Sequence, residues 1–224
     1  MLEEEAKERG INIEALRQEQ KKLSKQVSCR DAFDFSAATR FGAIVTYPID
    51  DKLLASAVLL NENLDTIEKK FAIKKAKFPY IPGFRAFREL PVMLEAYEKM
   101  EEQADVFFIL GHGIAHPRGL GIASHFGVMV EKPTIGIAKS IDYGNEKENK
   151  VYDPKGKIIA EKVLTKKGAK PIYVSVGHMI SLETAVKITK KCTKEPHKFP
   201  EPLVEARKFA KKIRKEFVED ETTT

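Results

Sequence analysis

Phe41-Gly42-Ala43-Ile44-Val45-Thr46-Tyr47 opens the part of the chain that decides the fold. It reads as a strand, and Pro48 to Lys52 reads as the turn that closes it. Leu53 to Leu60 is a second strand and Thr66 to Lys74 a third. The links between them are too short for a crossover, so the three form an antiparallel meander. Beyond Lys74 the pattern changes. Phe78-Pro79-Tyr80-Ile81-Pro82-Gly83 carries two prolines and a glycine and excludes regular structure. A helix is predicted from Arg85 to Glu102, then a buried strand from Asp105 to Leu110 that ends in Gly111-His112-Gly113.

Further out, Leu120 to Val130 reads as helix and Pro133 to Ala138 as a short strand. Residues 149–175 suggest a hairpin turning at Pro154-Lys155-Gly156, and Pro171 to Val176 another strand. Ser181 caps a helix running to Lys191, with Glu183 and Thr184 in its first turn. Pro200 and Pro202 precede a last, basic helix from Leu203 to Phe217, and residues 219–224 are expected to fray. Before the first strand, residues 12–27 form an amphipathic helix with Ile13, Leu16 and Leu23 on one side and Asn12 as cap. A three-strand meander and then strand–helix units, read as parallel additions, is the ribonuclease H-like order. The expected fold is therefore α/β: a mixed sheet flanked by helices, in one domain with its core over 41–210.

Composition bounds the function. With 224 residues, 42% hydrophobic and 32% charged, the chain is an ordinary globular protein. No apolar run approaches the ~20 residues of a membrane span. The acidic start, Met1-Leu2-Glu3-Glu4-Glu5, lacks the apolar core of a secretory leader, so the cytoplasm is the default compartment, and a monomer is expected. A net charge of +6 permits binding to a phosphate backbone without establishing it. Cys29 and Cys192 form no CxxC pair, which favours two packed thiols over a metal site or a disulfide.

Four blocks carry a resemblance. They are Pro79-Tyr80-Ile81-Pro82-Gly83-Phe84-Arg85-Ala86-Phe87-Arg88-Glu89-Leu90; Gly111-His112-Gly113-Ile114-Ala115-His116-Pro117-Arg118-Gly119-Leu120-Gly121-Ile122-Ala123-Ser124-His125-Phe126-Gly127; Pro133 to Ser140; and Val176 to Ala185. In this order they resemble the endonuclease V family, the Mg²⁺-dependent nucleases of deaminated DNA. The resemblance implies that Pro79, Tyr80, Ile81 and Pro82 form a strand-separating wedge. A rigid aromatic can insert between bases at a cost of a few kcal/mol of unstacking. It also implies a base pocket lined by Gly83, Gly111, His112, Gly113, His116 and Ile122, and a phosphate contact at Lys139. Glycines let a flipped base approach main-chain N–H and C=O groups closely. His112 and His116 lack a third partner and are not read as metal ligands.

The pattern breaks at the metal. Mg²⁺ takes hard oxygen ligands, and the family supplies them as carboxylates. Gly42, Thr46 and Tyr47 align Ile44 with an expected Asp, and Leu110 stands where a second Asp is expected. Glu89 remains as the single clear ligand. Arg207 lies near a further expected acidic or His position and would repel a cation. Asp50, Asp51 and Asp105 are not placed to substitute. The resemblance thus implies a divergent member that binds inosine-containing DNA or RNA, with Mg²⁺-dependent cleavage lost or strongly weakened. An active deoxyinosine endonuclease and an interaction protein reusing the fold are the alternatives. Ile44, Glu89 and Leu110 are expected to converge at one end of the central strands.

Overall fold

In the computed structural model, which describes residues 9–222, the meander consists of β1 (Phe41–Ile49), β2 (Lys52–Leu60) and β3 (Thr66–Lys75). β1 pairs antiparallel with β2 from Phe41↔Leu60 to Ile49↔Lys52, and β2 with β3. The first turn therefore holds only Asp50 and Asp51, with Asp50 at a positive φ of 48°. Pro48 does not end β1, contrary to the expected turn at 48–52. On its other side β1 pairs with its parallel neighbour only over Phe41–Ile44, so the ladder bond that Pro48 cannot donate is never required. β2 is buried almost throughout, as befits an apolar run covered on both faces. β3 is an edge strand, and Lys69, Lys70, Lys74 and Lys75 keep it from pairing with a further strand.

Before the meander lies α1 (Ile13–Ser24), capped by the Asn12 side chain, which accepts from the Ala15 N–H at 3.0 Å. After the meander, α2 (Arg85–Glu98) crosses over to β4 (Val106–Leu110), which lies parallel to β1. α3 (Ile122–Val130) leads to β5 (Thr134–Ala138), parallel to β4. The parallel run stops there. β6 (Asn145–Lys147), β7 (Lys150–Tyr152), β8 (Ile158–Val163) and β9 (Ile172–His178) pair antiparallel, and β9 returns antiparallel to β5. The parallel additions expected of the strand–helix units are β4 and β5, and the hairpins between β5 and β9 reverse the chain. Strand order is β3-β2-β1-β4-β5-β9-β8-β7-β6, and its first five strands have the ribonuclease H-like order.

α4 (Leu182–Lys191) and α5 (Glu201–Thr222) complete the chain. α2 and α3 cover one face of the sheet around Ile44, Leu90, Met93, Phe107, Ile109 and Phe126. α4 and α5 cover the other around Val45, Phe108, Ile188, Leu203 and Ala206. The Ser56 hydroxyl donates to the Ala206 carbonyl at 2.6 Å and ties α5 to β2. α5 remains helical to Thr222, past the start of the expected frayed tail; Thr223, Thr224 and the acidic run Met1–Glu5 lie outside the described residues. Both cysteines are free, and burial pushes the Cys192 thiol up to about 12. Among the described residues no helix is long and apolar enough to cross a membrane.

Candidate nucleic-acid site

The stiff loop before α2 is built to split two neighbouring side chains. Ile81 turns inward and packs, 7% exposed, with Ile13 and Phe84. Tyr80 turns outward and is 63% exposed. A positive φ of 78° at Gly83 turns the chain into α2. The Gly83 carbonyl then accepts from three donors: Gln20 Nε2 at 3.0 Å, His116 Nε2 at 3.1 Å and Arg118 Nη2 at 2.7 Å. Arg118 also donates through Nε to Gln20 Oε1 and lies over the Phe84 ring, 4.6 Å from its centroid. The loop is thus clamped by α1 and by the 116–118 turn, while the Tyr80 side chain remains exposed.

Beside this loop is a cavity of about 170 Å³. Its walls include Gly83, Gly111, His112, His116 and Ile122, all expected at a base pocket, and Tyr80, expected in the wedge, together with Gln20, Arg85 and Asp142. Gly111 sits at φ 150°, and a Cβ there would come 2.5 Å from Ile122 Cγ2. His116 accepts the Arg118 N–H on Nδ1 at 3.2 Å, so its proton is on Nε2. Burial, with the Arg118 charge added, pulls its pKa down to about 4. His112 Nε2 faces Asp142 at 3.5 Å, and burial lowers its pKa too. The pocket is therefore lined by neutral imidazoles at ordinary pH. Gly113 does not line it. A Cβ on Gly113 would lie 1.8 Å from the Val176 carbonyl, so this glycine lets the loop close onto β9. Lys139 is exposed on a wider depression of about 670 Å³, which shares Asp142 with the smaller cavity.

One wall of the cavity leads to Glu89, which is 8% exposed. Its carboxylate accepts three hydrogen bonds. Arg85, one helical turn earlier, donates from Nε to Oε1 at 2.6 Å and from Nη2 to Oε2 at 2.9 Å. The Thr46 hydroxyl also donates to Oε2. Arg85 Nη1 donates to the Leu110 carbonyl at 3.1 Å, so the guanidinium bridges α2 to the end of β4. Ile44, one pleat below Thr46 on the same face, is fully buried with Leu90 and Met93. The Leu110 side chain leans the other way and packs against the α4–α5 side. Glu89 and the main chain of Leu110 do meet, through Arg85; the side chains of Ile44 and Leu110 lie on opposite faces.

These residues do not fit Mg²⁺. The ion needs several oxygen ligands at about 2.1 Å in octahedral geometry. Among the described residues no three His, Cys, Asp or Glu side chains gather into such a set. Of the two carboxylates near the cavity, Glu89 already holds a cation, and Asp142 faces His112 at 3.5 Å. A dication about 4 Å from the guanidinium would meet a repulsion on the order of 8 kcal/mol at an effective dielectric of about 20. The other candidates are used elsewhere. Asp51 pairs with Lys75 at 3.1 Å. Asp105 accepts the N–H groups of Thr39 and Arg40 at 2.8 and 2.9 Å at the far end of β4. Arg207, expected to oppose a cation at this site, donates instead to the Tyr47 hydroxyl at 3.2 Å and lies over Phe199. Tyr47 alternates with Thr46 along β1, so Arg207 is across the sheet from Glu89.

The sequence profile named Endonuclease V matches residues 21–208. The chain belongs to the endonuclease V family. Endonuclease V of Thermosipho melanesiensis is 39% identical over 207 residues, covering 89% of this chain and 86% of its own. That of Trichormus variabilis is 40% identical over 200 residues, covering 85% and 90%. The crystal structure of human ENDOV superposes with a TM-score of 0.85 at 26% identity, over 92% of this chain and 100% of its own. Endonuclease V of Ciona intestinalis, crystallised with a 24mer DNA containing an inosine followed by a ribo-adenosine, gives 0.83 at 28% identity, over 92% and 98%.

Four residues of this endonuclease V fold's site escape a reading of the sequence: Arg85, Thr46, Gln20 and Asp142. Arg85 and Glu89 stand four apart on one helix, a spacing that predicts their pairing. Thr46 lies one pleat beyond Ile44 and shares its face. Gln20 and Asp142 carry no local signal, because only the folded chain brings the α1 helix and the loop after β5 to the cavity.

Proposed function

We propose that this chain binds nucleic acid at deaminated, hypoxanthine-type bases and has lost or strongly weakened the phosphodiester cleavage its family name implies. The observation that carries the reading is the state of Glu89. Its carboxylate is taken by Arg85 and Thr46, and apolar Ile44 and Leu110 stand where further carboxylates would be needed. The binding half rests on the other features. Tyr80 projects on a clamped loop beside a cavity with glycine backbone and neutral imidazoles in its walls. Hypoxanthine offers a C6 carbonyl and an N1–H, which neutral donors and acceptors can read without a charged partner. Lys139 is exposed nearby for a phosphate.

The second reading is an active deoxyinosine endonuclease, favoured by the retained Glu89 and by the names of the relatives. A protein that keeps the fold for interaction alone has no use for a projecting Tyr80. Fluorescence anisotropy with inosine-containing and unmodified DNA and RNA, at two salt concentrations, tests the binding half. Salt-sensitive binding with an inosine preference is expected. Equal affinity for modified and unmodified strands would overturn it.

A further inference from the structure

We infer that the Arg85 guanidinium is a resident cation: it fills the electrostatic place of a metal at Glu89 and offers its remaining donors to a phosphate. A guanidinium carries five N–H groups and cannot lose its charge. Three are engaged here, one on each nitrogen: two on Glu89 and one on the Leu110 carbonyl. One N–H is left on each terminal nitrogen. The side chain is 36% exposed and lines the cavity next to Gly111 and His112. Gly111 is what makes room, since a Cβ there would lie 3.1 Å from Arg85 Nη1.

The geometry does two things at once. It neutralises a carboxylate that is otherwise nearly buried, and it leaves one N–H on each terminal nitrogen of a side chain that lines the cavity, for a strand's phosphate beside an extruded base. Arginine's planar fork matches phosphate oxygens in this way. The anchor for nucleic acid is then built into α2, and binding needs no metal. Restoring carboxylates at positions 44 and 110 would not suffice to restore a metal site, because the guanidinium would still stand on Glu89.

Two measurements test this. The first needs no nucleic acid. Mn²⁺ is titrated against the unmodified chain, the variant Ile44→Asp, whose carboxylate is added on the Glu89 face, and the variant that adds Arg85→Leu to it, with bound ion read by electron paramagnetic resonance. The variant without Arg85 is expected to bind at least about tenfold more tightly than Ile44→Asp alone. Equal affinity of the two, or a site on the unmodified chain that Glu89→Gln removes, overturns the inference. The second measurement rests on the binding function proposed above. Affinity for inosine-containing DNA should be the same in EDTA and in Mg²⁺. It should fall about tenfold in Arg85→Leu/Glu89→Gln, which keeps the pocket neutral, with the salt slope reduced by about one. Arg85→Lys should fall between. Binding that requires Mg²⁺, or that is unchanged in the double variant, overturns the phosphate role. A chain without inosine preference refutes the proposed function instead, and the Mn²⁺ arm still decides the cation assignment.

Discussion

Tyr80 and Ile81 are neighbours with opposite environments, and truncating each to alanine should separate binding from stability. Tyr80 is 63% exposed, so Tyr80→Ala removes little that folding buried; the expected change in stability is within about 0.5 kcal/mol. Its loss should appear in binding. Stacking of a base on an aromatic side chain is worth about 1–3 kcal/mol, which is roughly 5- to 150-fold in Kd for inosine-containing duplex. Ile81 is 7% exposed and packs with Ile13 and Phe84 under the loop. Ile81→Ala should cost about 2–4 kcal/mol in stability, through lost transfer energy and the cavity left behind. Urea unfolding and fluorescence anisotropy on the same preparations give both numbers. An unchanged Kd for Tyr80→Ala, or a stability loss as large as that of Ile81→Ala, would refute the assignment of Tyr80 as an outward wedge.

Acid should destabilise the fold before most carboxylates titrate. His116 and His125 are held down to about 4, mainly by burial, against an ordinary value near 6.5. Folding favours their neutral forms, so their contribution is fully present above about pH 6.5 and is lost as pH falls toward 4. For buried His125 the loss between pH 6.5 and 5 is on the order of 2 kcal/mol, and urea midpoints for His125→Gln should show a shallower slope in that window. A substitution at Gly111 meets both a positive φ of 150° and the Ile122 side chain. Gly111→Ala should lower the thermal midpoint and weaken inosine binding together; a variant that binds normally would show that the cavity does not receive the base.

Much of the fold is legible in the sequence because its signals are local. The meander can be read from three apolar runs with links too short for a crossover, and the cavity glycines from their Pro/Gly-rich blocks. The features that escape depend on neighbours far away in sequence. Pro48 stays in a strand only because β4 stops pairing at Ile44. β6 is three exposed polar residues, Asn145–Lys147, that become a strand solely by pairing with β7. The direction of β9 is set by the hairpins before it. At the site, the Arg85–Glu89 pair is within reach of helical spacing, whereas the contact of Gln20 with the Gly83 carbonyl spans 63 positions and has no local trace. The opposite facing of the Ile44 and Leu110 side chains comes from register: Ile44 pairs with Ile109, so Leu110 is one residue out of phase.

As proposed above, the chain would bind the deaminated base without cleaving the strand. The most direct test is a nicking assay. The unmodified protein, in molar excess over an end-labelled inosine-containing duplex and with Mg²⁺ or Mn²⁺ present, is sampled under conditions where anisotropy shows the duplex fully bound. With Glu89 held by Arg85 and Thr46, the bound strand should remain intact. Metal-dependent nicking that Glu89→Gln abolishes would contradict the account, because it would mean that Glu89 exchanges its guanidinium for a metal once the substrate is bound.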